Sequence, residues 1–530
     1  MRILFSRFAA AWVLGWGLLS ALPALAGNFS LSYQRIPAVD GQTLAATVIV
    51  PQGQGPGPFP LIVMGTSWAT PNLEYVGRGK ILAAQGYVVI SFTARGFYDS
   101  QGLVDFFGPK TVADTSKVID WALAHTPSDP DRIGASGISY GSGTSTLAAA
   151  RDPRIKAVAA LSTGGDFGEA FYSNQTASQQ VLSLLASTGV LTGRSTPELS
   201  AVWQKVFTGQ FDAAGKAMVN LSASRSPTQD AKAGRLNKTA VLLANGINDG
   251  LVPPNQLVDL FRNLGGPKQL ILIQGDHATA DLPGALGLPS EVYDAATRWF
   301  DHYLKGIDNG VNTEPPVRLQ TVGKSWLTYP DWDSVQARPT TYTLGKPAGW
   351  IPTGTLSTGG ATTAWSTSIV TAIPTEANSG AIELTGLFQS LFGTSPGASI
   401  PLIPRFGASV WQGPVYPARK MLAGIATLHL TVTPNQPDVS LYTYLYSVDV
   451  TGSGTLITHK PYSLHQATPG QPRTLDIRLE AAATEIPAGN RLAVVIGTLD
   501  PRYGGVTTPG GTVSFSAPAA DPAWLSVPLR

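Results

Sequence analysis

Two rhythms of apolar and polar positions divide this chain. Residues 28–50 alternate as two strands, Phe29–Ala38 and Leu44–Val50, joined at Asp40-Gly41, a dipeptide suited to a tight hairpin. After a Gly/Pro-rich loop over 51–60 the alternation gives way to short aliphatic runs. These are Leu61–Met64, Tyr87–Phe92, Ile133–Ala135, Val158–Leu161, Val241–Ala244 and Leu270–Ile273. Runs without a polar face fit strands covered on both sides. Between them, Tyr75–Gln85, Val112–His125, Asn255–Asn263 and Glu291–Leu304 carry the spacing of amphipathic helices. Strands alternating with helices predict a mostly parallel sheet, so an α/β unit is expected over residues 27–310.

Residues 164–238 interrupt that pattern. They are polar and rich in Ser, Thr and Gln, with helical patches at Gln179–Leu185 and Leu199–Phe207. The stretch is far longer than a normal strand-to-helix connection. It predicts a helical insertion that caps the site. Beyond Pro316 the runs shorten and alternate again, as in Thr427–Thr433, Ser440–Val448, Thr474–Leu479 and Arg491–Ile496, with Gly, Thr and Pro between them. An all-β sandwich or jelly roll is expected over 311–530.

The first 26 residues read differently. Arg2 and Arg7 precede an apolar stretch from Phe8 to about Leu22, and Ala24-Leu25-Ala26 supplies a small-x-small cleavage pattern. That is the layout of a secretory signal peptide, so the protein is expected to be exported, to the periplasm or beyond, without a membrane span after cleavage. The absence of cysteine among 530 residues suits an oxidising compartment and excludes thiolate metal sites. With 36 Lys and Arg against 34 Asp and Glu, and no charged block, nothing invites nucleic acid.

Candidate chemistry begins at Gly137-Ile138-Ser139-Tyr140-Gly141, a G-x-S-x-G match. A second match, Gly393-Thr394-Ser395-Pro396-Gly397, must be weighed against it. The nucleophile elbow of an α/β-hydrolase needs a strand before it, a helix after it, and a backbone N–H just past the serine to stabilise an oxyanion. Ser139 has the strand and the helix-forming run, and Tyr140 supplies the N–H. Ser395 is followed by Pro396, which has none. A serine hydroxyl needs a base, and the base needs a carboxylate to orient it. Of six histidines only His277 follows a buried strand at the required place, in Leu270–Ile273 followed by Gln274-Gly275-Asp276-His277. Asp249, in Asn245-Gly246-Ile247-Asn248-Asp249-Gly250, lies on the loop after the preceding strand and is the expected acid. Asp276 is its rival.

These residues in this order resemble the family of cocaine esterase, α-amino-acid ester hydrolases and X-prolyl dipeptidyl-peptidases. The shared features are Val39-Asp40-Gly41, the stretch Arg95-Gly96-Phe97-Tyr98-Asp99-Ser100-Gln101-Gly102, the G-x-S-Y elbow and the Gly246–Gly250 pattern. Pro404-Arg405-Phe406-Gly407 and Leu441–Val450 resemble the family's galactose-binding-like jelly roll. The resemblance implies a small ester, amide or short peptide substrate and neither metal nor organic cofactor. It also implies a second oxyanion donor just after the third strand, where the family carries a Pro-Tyr pair. This chain has Ser67-Trp68 there, so the indole N–H of Trp68 is the expected donor. A dipeptidyl-peptidase would also need carboxylates for a free amine, for which Asp166, Glu169, Glu198, Asp212 and Asp230 are candidates. A third reading is a catalytically dead scaffold that binds through its β domain.

Overall fold

The computed structural model describes residues 28–359, 363–382 and 395–530. The expected signal peptide, and Gly393 and Thr394 of the second serine motif, lie outside the described residues.

The first hairpin forms as β1 (Phe29–Pro37) and β2 (Thr43–Pro51). Then come β3 (Phe59–Gly65), α1 (Val76–Ala84), β4 (Val88–Phe92), α2 (Pro109–His125), β5 (Ser128–Ile138), α3 (Tyr140–Ala149) and β6 (Ile155–Leu161). Between β6 and the next strand of that sheet lies the insertion. It consists of helices α4 (Phe167–Phe171), α5 (Gln179–Thr192), α6 (Pro197–Phe207), α7 (Phe211–Ser222) and α8 (Pro227–Lys232), with a small hairpin of β7 (Tyr172–Ser173) and β8 (Thr176–Ala177). The sheet resumes with β9 (Ala240–Gly246), α9 (Pro254–Asn263), β10 (Lys268–Ile273), α10 (Leu282–Ala285) and α11 (Glu291–Lys305).

Strand order in this sheet is β1-β2-β4-β3-β5-β6-β9-β10, continued by β11 (Val317–Gln320) and β12 (Trp326–Tyr329). From β4 to β11 neighbours run parallel, and β1, β2 and β12 add antiparallel edges. Every residue of β4 and β9 is buried, as the unbroken aliphatic runs predict for strands with helices on both faces. The sheet reaches further than residue 310: Leu270, Ile271 and Leu272 pair with Val317, Arg318 and Leu319, so β11 and β12 complete the catalytic sheet. Their four-residue runs look like the β-rich region that follows.

From Thr340 onward the described residues form an all-β domain whose core includes Leu441, Leu445, Val494 and Phe515. It docks through apolar and polar contacts. Ala423, Ile425, Ala481 and Ala483 join the hydrolase core cluster. The Asn255 amide donates to the Leu479 carbonyl at 2.8 Å and accepts from Ala481 N at 3.0 Å. The insertion is tied in as well, with Ser463 N donating to Asn174 O at 2.9 Å and Gly504 N to Ala177 O at 2.9 Å. No helix among the described residues is long and apolar enough to cross a membrane.

Candidate active site

The turn from β5 into α3 sets the geometry. Ser139 takes φ 55° and ψ −116°, a left-handed conformation that a non-glycine residue adopts only when its surroundings enforce it. Close packing supplies the enforcement. A Cβ at Gly141 would lie 1.9 Å from the Gly65 carbonyl, and one at Gly137 would lie 2.6 Å from the Gly141 carbonyl carbon. Both glycines of the elbow are therefore demanded by the approach of α3 to β3. Ser139 N donates to Leu161 O at 2.8 Å, which pins the serine to the end of β6. Tyr140 opens α3, so its N–H has no carbonyl one turn earlier in the helix.

The loops after β9 and β10 bring two further residues to Ser139. His277 Nε2 lies 2.8 Å from Ser139 Oγ, and His277 Nδ1 lies 2.8 Å from Asp249 Oδ2. With the hydrogen on Nδ1, the imidazole donates to Asp249 and accepts from Ser139. Asp249 is 3% exposed and its other oxygen accepts from Leu251 N at 2.9 Å and Val252 N at 2.6 Å. Those amides and the imidazole hold the carboxylate in place of water. Ser139 itself stays partly exposed.

Asp276 points elsewhere. Its Oδ1 accepts from Gly250 N at 2.7 Å and His277 N at 2.8 Å, so it ties the acid loop to the histidine loop by their backbones. Burial raises its carboxyl above the ordinary range, the nearby Asp249 charge adds to that, and Arg502 opposes it. Asp281 accepts from Ser162 Oγ at 2.6 Å, and that hydroxyl accepts from Ala278 N at 2.9 Å, next to His277. Burial pushes the Asp281 carboxyl up to about 6.

Trp68 does not do what its position suggested. Its indole N–H donates to the Leu185 carbonyl of α5 at 3.2 Å, and its ring is boxed edge-on by Phe97, Tyr140, Phe106 and Trp203. The single donor on the indole is taken by the Leu185 carbonyl, which leaves it no hydrogen for an oxyanion, against the expectation for Trp68. Thr66 N and Ser67 N of the same loop are also engaged, by Phe92 O and by Glu74. Glu74 was missed in the sequence. It is buried, which raises its carboxyl, and it takes hydrogen bonds from Ser67 N at 2.8 Å, Ser67 Oγ at 2.6 Å and Thr70 Oγ1 at 2.9 Å.

The remaining motifs prove structural. Arg95 forks onto Asp114 at 2.7 and 2.9 Å and reaches Asp40 at 3.1 Å, so the Asp40-Gly41 turn and the Arg95-Gly96 stretch are two ends of one ion-pair network. Four of the five cap carboxylates are committed. Asp166 caps α4, Glu169 takes Ser173 and Lys460, Asp212 takes Tyr172 and Lys216, and Asp230 takes Arg151 and Arg235. Glu198 is exposed in the first turn of α6. Ser395 lies outside any strand-to-helix turn, on the β-domain side of a cleft that Asp249 also lines. Among the described residues no group of three or more His, Asp or Glu side chains has metal-holding geometry.

Two family models match the chain. "X-Pro dipeptidyl-peptidase (S15 family)" matches residues 40–279, and "X-Pro dipeptidyl-peptidase C-terminal non-catalytic domain" matches 309–521. A Bacillus anthracis protein, provisionally named Xaa-Pro dipeptidyl-peptidase, is 25% identical over 289 residues, 49% of this chain and 45% of that one. The chain thus matches about half the length of that curated relative. An α-amino acid ester hydrolase structure superposes with a TM-score of 0.72 at 16% identity, covering 96% of this chain and 98% of the other. A CocE/NonD family hydrolase from Staphylococcus aureus gives 0.70 at 15%, covering 97% and 99%. At that identity the structural likeness shows the fold.

Proposed function

We propose, from the match of residues 40–279 to the X-Pro dipeptidyl-peptidase S15 family model and of residues 309–521 to the model of its C-terminal domain, that the chain is a serine hydrolase cleaving a carboxylic ester or amide bond through an acyl-enzyme. The observation that carries this reading is the unbroken hydrogen-bonded line Ser139–His277–Asp249, at 2.8 Å for each contact. Ser139 Oγ attacks the substrate carbonyl while His277 Nε2 takes its proton. Asp249 keeps the other ring nitrogen protonated and stabilises the imidazolium that forms. His277 then returns the proton to the leaving alcohol or amine, and water repeats the cycle on the acyl-enzyme. The Tyr140 N–H serves the oxyanion. With the Trp68 indole and the Thr66 and Ser67 amides engaged, the amides of Trp68 and Ala69 are the source for a second donor.

Within that class our reading is an esterase or acylase, with a dipeptidyl-peptidase as the alternative. Holding a free substrate amine takes uncommitted carboxylate; Asp166, Glu169, Asp212 and Asp230 are occupied by caps or cations, which leaves Glu198, exposed in the first turn of α6, as the one candidate of the five. Turnover of a panel of p-nitrophenyl esters beside Gly-Pro and Ala-Pro anilides tests the choice. Esters should be cleaved with the higher kcat/KM, and a preference for the prolyl anilides would reverse it. No turnover of either, with Ser139 unreactive, would leave the scaffold reading.

The same proposal assigns 27–310 with its 164–238 insertion to catalysis and cap, extended to Tyr329 by β12, and the remainder to the β domain. The Arg2, Arg7 and Ala24-Leu25-Ala26 pattern supports export. N-terminal sequencing of the mature protein should find a start at Gly27.

A further inference from the structure

The C-terminal domain sends one cation to the back of the acid loop. Arg502 is 5% exposed and lies against Gly250. A Cβ at Gly250 would sit 1.4 Å from Arg502 Nη2, so the guanidinium of the other domain packs directly on the glycine after Asp249 and would have to move for any larger residue there. Gly250 has no positive φ that would otherwise demand glycine.

The backbone around the arginine is held from several sides, and its guanidinium donates from Nη1 to the Ser379 carbonyl at 3.4 Å. Asp500 accepts from Arg502 N at 2.8 Å, from Ser379 N at 2.8 Å and from the Tyr444 hydroxyl at 2.6 Å. Arg502 O accepts from Gln180 N of the cap at 3.2 Å, and Gly504 N donates to Ala177 O. Segment 500–504 is thereby clamped between the cap and the loop that carries Asp249. Arg502, Asp249 and Gly250 line one cleft, with His459, Glu480 and Tyr503 in its wall and neither Ser139 nor His277 among its lining residues.

The charges around that cleft leave Arg502 facing carboxylates. Lys460 is taken by Glu480 and Glu169. His459 bonds Tyr503 at 2.8 Å, and burial, Arg502 and Lys460 together push its pKa down, so it carries no charge. On the other side stand Asp249, Asp276 and, beyond them, Asp281, with His277 among them.

We propose that Arg502 is a positioning residue of the hydrolytic site: its guanidinium offsets the neighbouring carboxylates of Asp249 and Asp276 and holds the 249–250 turn against the His277 loop. This rests on the reading of Ser139, His277 and Asp249 as the catalytic unit. It makes the β domain, matched as non-catalytic, a supplier of charge to that unit.

The test is the acid limb of the kcat/KM profile for the full chain. A positive charge near the two carboxylates disfavours the imidazolium of His277, so its removal lets His277 hold a proton to higher pH. Arg502→Gln should move the limb upward by on the order of one pH unit. Arg502→Lys should keep it near the wild-type position, and Asp276→Asn should move it down. The double variant Asp276→Asn/Arg502→Gln, which loses one charge of each sign, should return to it. Should Arg502→Gln alone not fold, the same displacement is read between Asp276→Asn and the double variant. A residue that merely packs would lower stability or kcat while every limb coincided, and coincident limbs overturn the proposal. Failure of the underlying reading has a different signature, full turnover by Ser139→Ala or none by the wild type.

Discussion

Replacing Trp68 by Phe separates a wall from a donor. The substitution deletes the indole N–H that reaches Leu185 O and removes part of the ring lying against α5, where a Cβ at Gly189 would come within 2.6 Å of Trp68 Cζ2. A half-buried hydrogen bond of this kind contributes about 1 kcal/mol net. Loss of the outer ring from a packed aromatic cluster should cost roughly 1–2 kcal/mol more, less than a full aromatic truncation. Leu185 O keeps a contact from Thr188 Oγ1 at 3.5 Å, which limits the penalty on the cap side. The variant should therefore be destabilised by about 2–3 kcal/mol in chemical denaturation. Its kcat on a p-nitrophenyl ester should stay within about threefold of wild type, because no transition-state contact is lost. An oxyanion donor would behave in the opposite way, with roughly 10²–10³ lost in kcat. A drop of that size at unchanged stability would show that the indole leaves Leu185 during turnover and serves the oxyanion after all.

Asp249→Asn should cut kcat by on the order of 10⁴ by favouring the wrong imidazole tautomer, whereas Asp276→Asn keeps an acceptor for Gly250 N and His277 N and should lose far less. Steady-state kinetics of the pair would expose a reversed order. A chain ending at Ala337 should aggregate or unfold, since it strips Ala423, Ile425, Ala481 and Ala483 from the hydrolase core; soluble, fully active protein by light scattering and assay would make the β domain an appendage. Asp281 carries its own pH signature. Its folded value of about 6 lies above the ordinary 3.8, so the folded state holds the proton more tightly and stability is lost as pH rises from about 4 to 6. Asp281→Asn should remove about 2 kcal/mol of that decline between pH 4.5 and 7.5, read by denaturant unfolding at the two values, and an unchanged slope would refute the assignment.

The parallel core was legible because strands buried on both faces leave unbroken runs such as Val241–Ala244, and because an elbow needs its glycines wherever a helix presses on a strand. His277 and Asp249 are legible from chain order together with their places on loops after the buried runs Leu270–Ile273 and Val241–Ala244. What could not be read were pairings across long separations. Trp68 meets Leu185 after 117 residues, and no local signal says that an indole beside a nucleophile is already engaged. β11 and β12 look like strands of the β domain, and only register with Leu270–Leu272 shows which sheet they join. Gly250 belongs to a local pattern, but the side chain packed against it, Arg502, comes from the other domain.

The central claim is that Ser139, activated by His277, is the nucleophile. Incubating the full chain with a fluorophosphonate and mapping the adduct by peptide mass spectrometry tests it most directly. The account predicts one phosphonyl group, on Ser139, formed with loss of activity and absent when His277 is replaced by Ala. An adduct on Ser395 instead, or persistent hydrolysis by a protein fully labelled at Ser139, would contradict it.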